Sequence, residues 1–160
     1  MLVAMWTQQV DLHSHSYYSD GIHSPQEMAK RASDSGVKVW SLTDHDTSKG
    51  WEEAKEACKS LGMRFIPGVE ITCEVEMNSE THNPQSWHLL AYFPNGATDD
   101  FRTWLDGLKD ARVPRMKNMI AALNESGFEI SFEEVDELST GAIGRPHLAR
   151  ALVARGYVET

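Results

Sequence analysis

The sequence runs to 160 residues, 41% of them apolar and 24% charged, with a formal charge of −9. That length and mixture describe one globular domain, and the acidic balance disfavours broad nucleic-acid binding, although metal ions in a local site could still hold a single phosphate. There is no apolar run of about 18 residues to cross a membrane, MLVAMWTQQVDL is too short and polar for a secretory signal, and the two cysteines, Cys58 and Cys73, lack paired spacing, so a cytoplasmic location is expected.

Residues 7–12 (TQQVDL) read as a short strand. A helix is predicted over 25–36, with Ser24 as N-cap, Pro25 in the first position and Gly36 as the stop. VKVWSLT (37–43) is a second strand, 48–62 a second helix, MRFIPGVEIT (63–72) a third strand and SWHLLAYF (86–93) a fourth. A polar loop, 76–85, separates the last two. This alternation predicts βαβ units and a parallel sheet. Beyond Pro94 the pattern turns helical, with helices over 98–111, 114–126, 131–138 and 146–155, divided by Pro114, Gly127 and the turn at 141–144.

The polar residues fall at the ends of those strands. In VDLHSHSYYSDG, His13 and His15 are two apart, so their side chains leave one face, and Asp20 follows in the loop. Asp44, His45 and Asp46 come directly after the second strand, and Glu70 follows PGV at the end of the third. His88 lies within the fourth. The carboxyl ends of parallel strands form the rim on which α/β sites are built. A lone strand histidine is ordinarily a packed or solvated residue, and Asp44 and Asp46 are equally well placed to cap the next helix. Taken together, imidazoles and carboxylates at successive strand ends point to a metal site suited to Zn, Mn or Fe. Six candidate ligands exceed one four-coordinate ion. Two metals about 3.5–4 Å apart are the usual apparatus of phosphoester hydrolysis, and a carboxylate such as Glu70 can bridge them where an imidazole cannot.

Other residues carry less. His23 and His82 read as solvated loop residues, Cys73 as a small buried thiol, and Trp40 and Trp87 as core. Arg145 and His147 flank Pro146 at a helix start, a setting that attracts anions, although a surface Arg beside a capping turn reads the same way.

DLHSHSYYSDG, SLTDHD, IPGVEIT and HLLAYF, in that series, resemble the PHP (polymerase and histidinol phosphatase) superfamily of metal-dependent phosphoesterases. With GRPHLARALVARGYV, the chain is most similar to the bacterial branch acting on nucleotide 3′,5′-bisphosphates and the 5′ ends of short RNA. The resemblance implies a distorted (β/α)7 barrel, its N-terminal βα units at 7–95 and a helical insertion at 96–160, with two or three divalent ions (Mn, Zn or Fe) at the strand ends. It assigns His13 and His15 to one ion, Glu70 as the bridge to a second held by His88, and Asp20 with His45 to a third. Catalytic roles fall to Glu70, His45 and Asp20, and substrate phosphate to Arg145 and His147. The implied chemistry is attack of a metal-bound hydroxide on phosphorus, in an exonuclease or a nucleotide phosphatase.

Family members carry two more ligand motifs toward the C-terminus, whereas His147 is the one histidine after His88 here. A full eight-stranded barrel also runs to about 250 residues. The expectation is therefore an N-terminal part of the barrel, cut before it closes, that oligomerises or needs a C-terminal complement. A histidinol-phosphate phosphatase, a proofreading domain or a non-catalytic metal-binding fragment are the alternatives; the RPH segment favours the nucleotide branch over the first two.

Overall fold

The computed structural model describes residues 9–75 and 85–159. Three two-residue strands, β1 (Val10–Asp11), β2 (Val39–Trp40) and β3 (Arg64–Phe65), pair in parallel in the order β1-β2-β3, with Val10 opposite Val39 and Val39 opposite Arg64. The helices between them are α1 (Pro25–Asp34) and α2 (Trp51–Ser60). Ser24 and Glu27 form a reciprocal capping box at the start of α1, as the S-P-Q-E spacing predicts. Gly36 and Gly62 follow the two helices at φ +86° and +66°, a conformation in which a Cβ would be strained. The apolar stripes of both helices pack against β2, burying Ala29, Trp40, Leu42, Ala54, Cys58 and Met63.

The predicted third strand is two strands. β3 ends at Phe65, and after Pro67 the chain starts β4 (Gly68–Val75). Proline cannot donate a ladder hydrogen bond, so the break falls there. Gly68 then passes so close to β2 that a Cβ would lie 2.4 Å from Ser41 Oγ. The predicted parallel fourth strand is also corrected. β5 (Gln85–Tyr92) runs antiparallel to β4, from Gly68 opposite Tyr92 to Val75 opposite Gln85. The interval 76–84 lies outside the described residues; a parallel return needs a crossover of about a dozen residues or more. A bridge between His45 and Glu70 ties the hairpin to the parallel layer.

A second correction concerns Pro114, expected to divide two helices. Helix α3 (Asp99–Glu125) runs through it, capped by Thr98. An interior proline costs about 3 kcal/mol, and the helix tolerates it because both halves are anchored. Leu105 packs with Trp51, Val69 and Ile71, while Met116 and Ile120 pack with Ile130, Val135, Ile143, Leu148 and Ala151. The remaining helices, α4 (Phe132–Asp136) and α5 (Arg145–Ala154), enclose that last cluster. Trp40 is fully buried as expected, but Trp87 is 52% exposed on β5. No helix among the described residues is long and apolar enough to cross a membrane.

Candidate metal centre

Strand pleating aims the site. Ser14 turns inward, its hydroxyl donating to the Ser41 carbonyl at 2.8 Å and its carbonyl accepting from Thr43 N–H at 2.8 Å. With Ser14 facing β2, His13 and His15 must face the other way. On β4 the same alternation buries Val69 and Ile71 in the apolar cluster and turns Glu70 and Thr72 to the site. His88 sits opposite Thr72, a diagonal neighbour of Glu70 within reach of its carboxylate.

Glu70 is the hub. Its Oε2 lies 2.7 Å from His13 Nε2, 2.9 Å from His15 Nε2 and 4.0 Å from His45 Nδ1, and its Oε1 lies 2.5 Å from His88 Nδ1. Asp20 closes the opposite side, 3.2 Å from His15 Nδ1 and 3.5 Å from His45 Nε2. Three overlapping triads result, His13–His15–Glu70, His15–Asp20–His45 and His45–Glu70–His88, each with its ligand atoms within 4.8 Å. Every residue anticipated as a ligand is therefore gathered in one place.

The chemistry of this donor set fits divalent cations. Four imidazole rings crowd with centroids 4.7–5.2 Å apart around two carboxylates. His45 Nδ1 is buried without a hydrogen-bond partner. A cation shared by these groups supplies the missing partner and the missing charge. Burial works against ionisation of Asp20 and Glu70, but hydrogen bonds from His15 and His45 hold the Asp20 carboxyl well below the usual range. Glu70 is likewise held down, chiefly by His13 and the charge of His45. Burial disfavours protonated His15, yet its hydrogen bond to Asp20 and the charges of Asp20, Glu70 and Asp44 together outweigh that and raise its pKa.

Neither Asp44 nor Asp46 caps α2, which starts at Trp51 with Gly50 as N-cap. Asp44 is buried and accepts from Ser16 N–H at 2.7 Å, Ser16 Oγ at 2.6 Å and Ser19 Oγ at 2.7 Å, so it shapes the loop that carries Asp20. Its carboxyl is pushed up by burial, against those three donors. Asp46, at φ 52°, accepts from Thr72 N–H at 2.7 Å and from Arg112 Nε at 2.6 Å. Arg112 also donates to Thr72 Oγ1 at 2.5 Å and reaches the Ile143 carbonyl at 3.4 Å, joining α3, β4 and the turn before α5. Sequence reasoning missed it. An arginine two residues before a proline that should end a helix carries no motif signal.

A cavity of about 270 Å³ opens beside the cluster, lined by Asp20, His45, His88, Arg112, Arg115 and Arg145 among others. Arg145 thus faces the site. His147 departs from expectation: it is 1% exposed and its Nδ1 accepts the Gly144 N–H at 3.0 Å, capping α5. Burial, with the Arg150 charge nearby, lowers its pKa and favours the neutral ring that can accept that bond. His23 stands apart, 3.9 Å from Glu27, and Cys73 joins none of the triads. His82 lies outside the described residues.

A model of the PHP domain matches residues 11–140. The chain belongs to the PHP domain family. Over 152 residues it is 34% identical to a 5′-3′ exoribonuclease of Haemophilus influenzae, covering 95% of this chain and 53% of that protein. It is 30% identical over 152 residues to a 3′,5′-nucleoside bisphosphate phosphatase of Chromobacterium violaceum, covering 94% and 51%. Among solved structures, an amidohydrolase from C. violaceum with bound sulfate and no metal superposes at a TM-score of 0.81 (30% identity, 94% of this chain, 51% of that one). A protein described as a metal-dependent phosphoesterase, from Bifidobacterium adolescentis, does so at 0.79 (34% identity, 94% and 51%). The chain spans about half the length of the curated relatives it matches. The mixed α/β fold and the His/Asp/Glu clusters able to bind metal are thus those of a PHP domain.

Proposed function

We propose that this PHP domain is a metal-dependent phosphoesterase that hydrolyses phosphate monoesters of nucleotides, 3′,5′-bisphosphates or the 5′ ends of short RNA. The observation that carries the reading is the Glu70 carboxylate, with imidazoles gathered about both its oxygens. Two or three ions, of Mn, Zn or Fe, would be held by the three triads, with Glu70 shared between His13–His15 and His45–His88 and with Asp20 completing the third set. When bound, such ions acidify water and neutralise phosphate oxygens. The chain's own part is to orient and to neutralise. Glu70, His45 and Asp20 would stand nearest the bound ions, and Arg145 and Arg115, which line the cavity together with Asp20 and His45, would offer guanidinium donors to the phosphate. Arg112 is committed to Asp46 and Thr72, so its role is to hold that wall. His147 acts behind Arg145, fixing the Gly144 turn. The names of the curated relatives support the substrate class.

The finer fold is an arc of a (β/α)7 barrel over 7–95 with a helical insertion over 96–160. Supporting it are the parallel order β1-β2-β3 and an apolar cluster drawn from α3–α5 and their connections. Trp87 and Leu89, 52% and 57% exposed on β5, favour association with further copies or with complementing strands; light scattering of a monodisperse monomer would count against it.

The deciding experiment is metal content per chain by elemental analysis, with phosphate release from adenosine 3′,5′-bisphosphate in added Mn²⁺. Two or three ions with release is the expected result. One ion or none, without release, overturns the catalytic reading for this chain and leaves a metal-binding module.

A further inference from the structure

Asp20 is the one carboxylate of the cluster that comes from a loop, so no strand ladder fixes it. Within the loop, Ser19 and Gly21 N–H donate to the Ser16 carbonyl at 3.1 and 3.0 Å, and Tyr17 N–H donates to the His23 carbonyl at 2.9 Å. Gly21 presses on the segment that follows β1, where a Cβ would lie 2.6 Å from the His15 carbonyl oxygen. The carbonyls of Tyr17, Tyr18 and Asp20 are all taken by the helical region. Thr140 Oγ1 donates to Tyr17, Ala142 N–H to Tyr18 at 2.9 Å, and Arg150 Nη2 to Asp20 at 2.6 Å. Gly141 sits so tightly on this loop that a Cβ would fall 1.8 Å from the Tyr18 carbonyl oxygen. Arg150 is absent from the residues lining the cavity beside the cluster; it lines a separate surface groove with Tyr17, Gly21, Ile22, Leu138 and Thr140.

We propose that Arg150 is a positioning residue: its bond to the Asp20 carbonyl holds the Asp20 carboxylate between His15 and His45, so that ion binding at His15–Asp20–His45 depends on the helical region. The proposal rests on the reading of the cluster as metal-binding. A charge-assisted bond to a carbonyl is roughly twice as strong as a neutral one, and it acts on the backbone of the residue whose side chain must be placed. Asp20 Oδ1 and Oδ2 each meet a different ring, at 3.2 and 3.5 Å, so a rotation of the loop loses both contacts together. Arg150 does not line the cavity, and its hydrogen bond to the cluster is made to the Asp20 carbonyl.

Zn²⁺ titration and amide hydrogen exchange on the full chain, for wild type, Arg150→Met, Arg150→Lys and Asp20→Asn, test this. In Arg150→Met the weakest-bound zinc is expected to bind at least about tenfold more weakly, the size of a lost outer contact. Exchange at Ser19 and Gly21, whose amides are bonded within the loop, should quicken by a similar factor, with Arg150→Lys intermediate in both. Should Arg150→Met fail to fold, Arg150→Lys is expected to show the same two changes at smaller size. Wild-type exchange in the loop, or wild-type zinc affinity where Asp20→Asn loses zinc, overturns the proposal. If Asp20→Asn binds zinc as wild type does, the metal reading of that triad is what fails. In that case loop exchange alone decides: quickening sustains the hold on Asp20, and no change refutes it.

Discussion

The two ends of this molecule are stabilised by opposite means. Around the strand ends the buried set is polar: Ser14, Ser16, Ser19, Thr43, Asp44, His45, Asp46, Thr47 and Glu70 are all 8% exposed or less. In the α3–α5 cluster the buried side chains are aliphatic or Met, and His147 is the buried polar residue beside them among those described. The helical end gains its stability from burial, which is non-directional and tolerant of exchange. The strand-end region must satisfy each donor individually, because an unpaired buried group costs about 1–3 kcal/mol. His13, His15 and His45 follow the ends of the two-residue strands β1 and β2, whereas Glu70 and His88 stand within the eight-residue strands β4 and β5. Arg112 is where the two regimes meet.

Glu70→Gln sharpens that contrast most. It keeps the shape and removes the charge shared by the imidazoles, so metal content should fall and phosphate release drop by more than about 100-fold, beyond what an outer-shell change costs; elemental analysis and a phosphate assay check it. Arg112→Met breaks the junction. It leaves Asp46, 1% exposed, without its cation, and is expected to cost about 3–5 kcal/mol in urea unfolding. Ile120→Ala, in the aliphatic cluster, should cost about 2–5 kcal/mol by cavity formation while metal content per folded chain stays unchanged. Loss of metal in that variant would break the separation of the two regions.

The smallest effect is pH dependence through His147. Its folded pKa is lowered by burial, so below about pH 6.5 the unfolded chain takes up a proton that the folded chain resists. Stability should therefore decline as pH falls through that window, by at most about 1.4 kcal/mol per pH unit. Asp20 and Glu70, whose pKa values are depressed, add stability lost only at more acidic pH, through their folded pKa values. His15, raised, adds stability lost as pH rises through its folded value. Urea unfolding of wild type and His147→Gln between pH 5 and 7, without added metal, isolates the His147 share as the difference in slope.

Much of the site was legible beforehand because its signals are local. His13 and His15 declare a shared face by their spacing, and Ser24 with Glu27 declares a helix start. Pro67 and Pro114 carry the same local signal but had different fates. At Pro67 the ladder could not continue, whereas at Pro114 packing on both sides outweighed the lost hydrogen bond. Asp44 and Asp46 show the same limit: two acids ahead of a helix look like caps, and their partners, Ser16 and Arg112, lie far along the chain.

By itself, then, the sequence singled out the imidazoles and carboxylates that converge as candidate metal ligands, which segments alternate between strand and helix, and which family they compose, since residue type, spacing and caps act within a few positions. Tertiary structure alone decided that β5 returns antiparallel, that α3 stays whole, that His147 turns inward while Arg145 faces the cavity, and that Arg112 and Arg150 reach across to Asp46 and Asp20. Those outcomes depend on which groups remain unpaired once the chain is folded, and that is a property of the assembled interior.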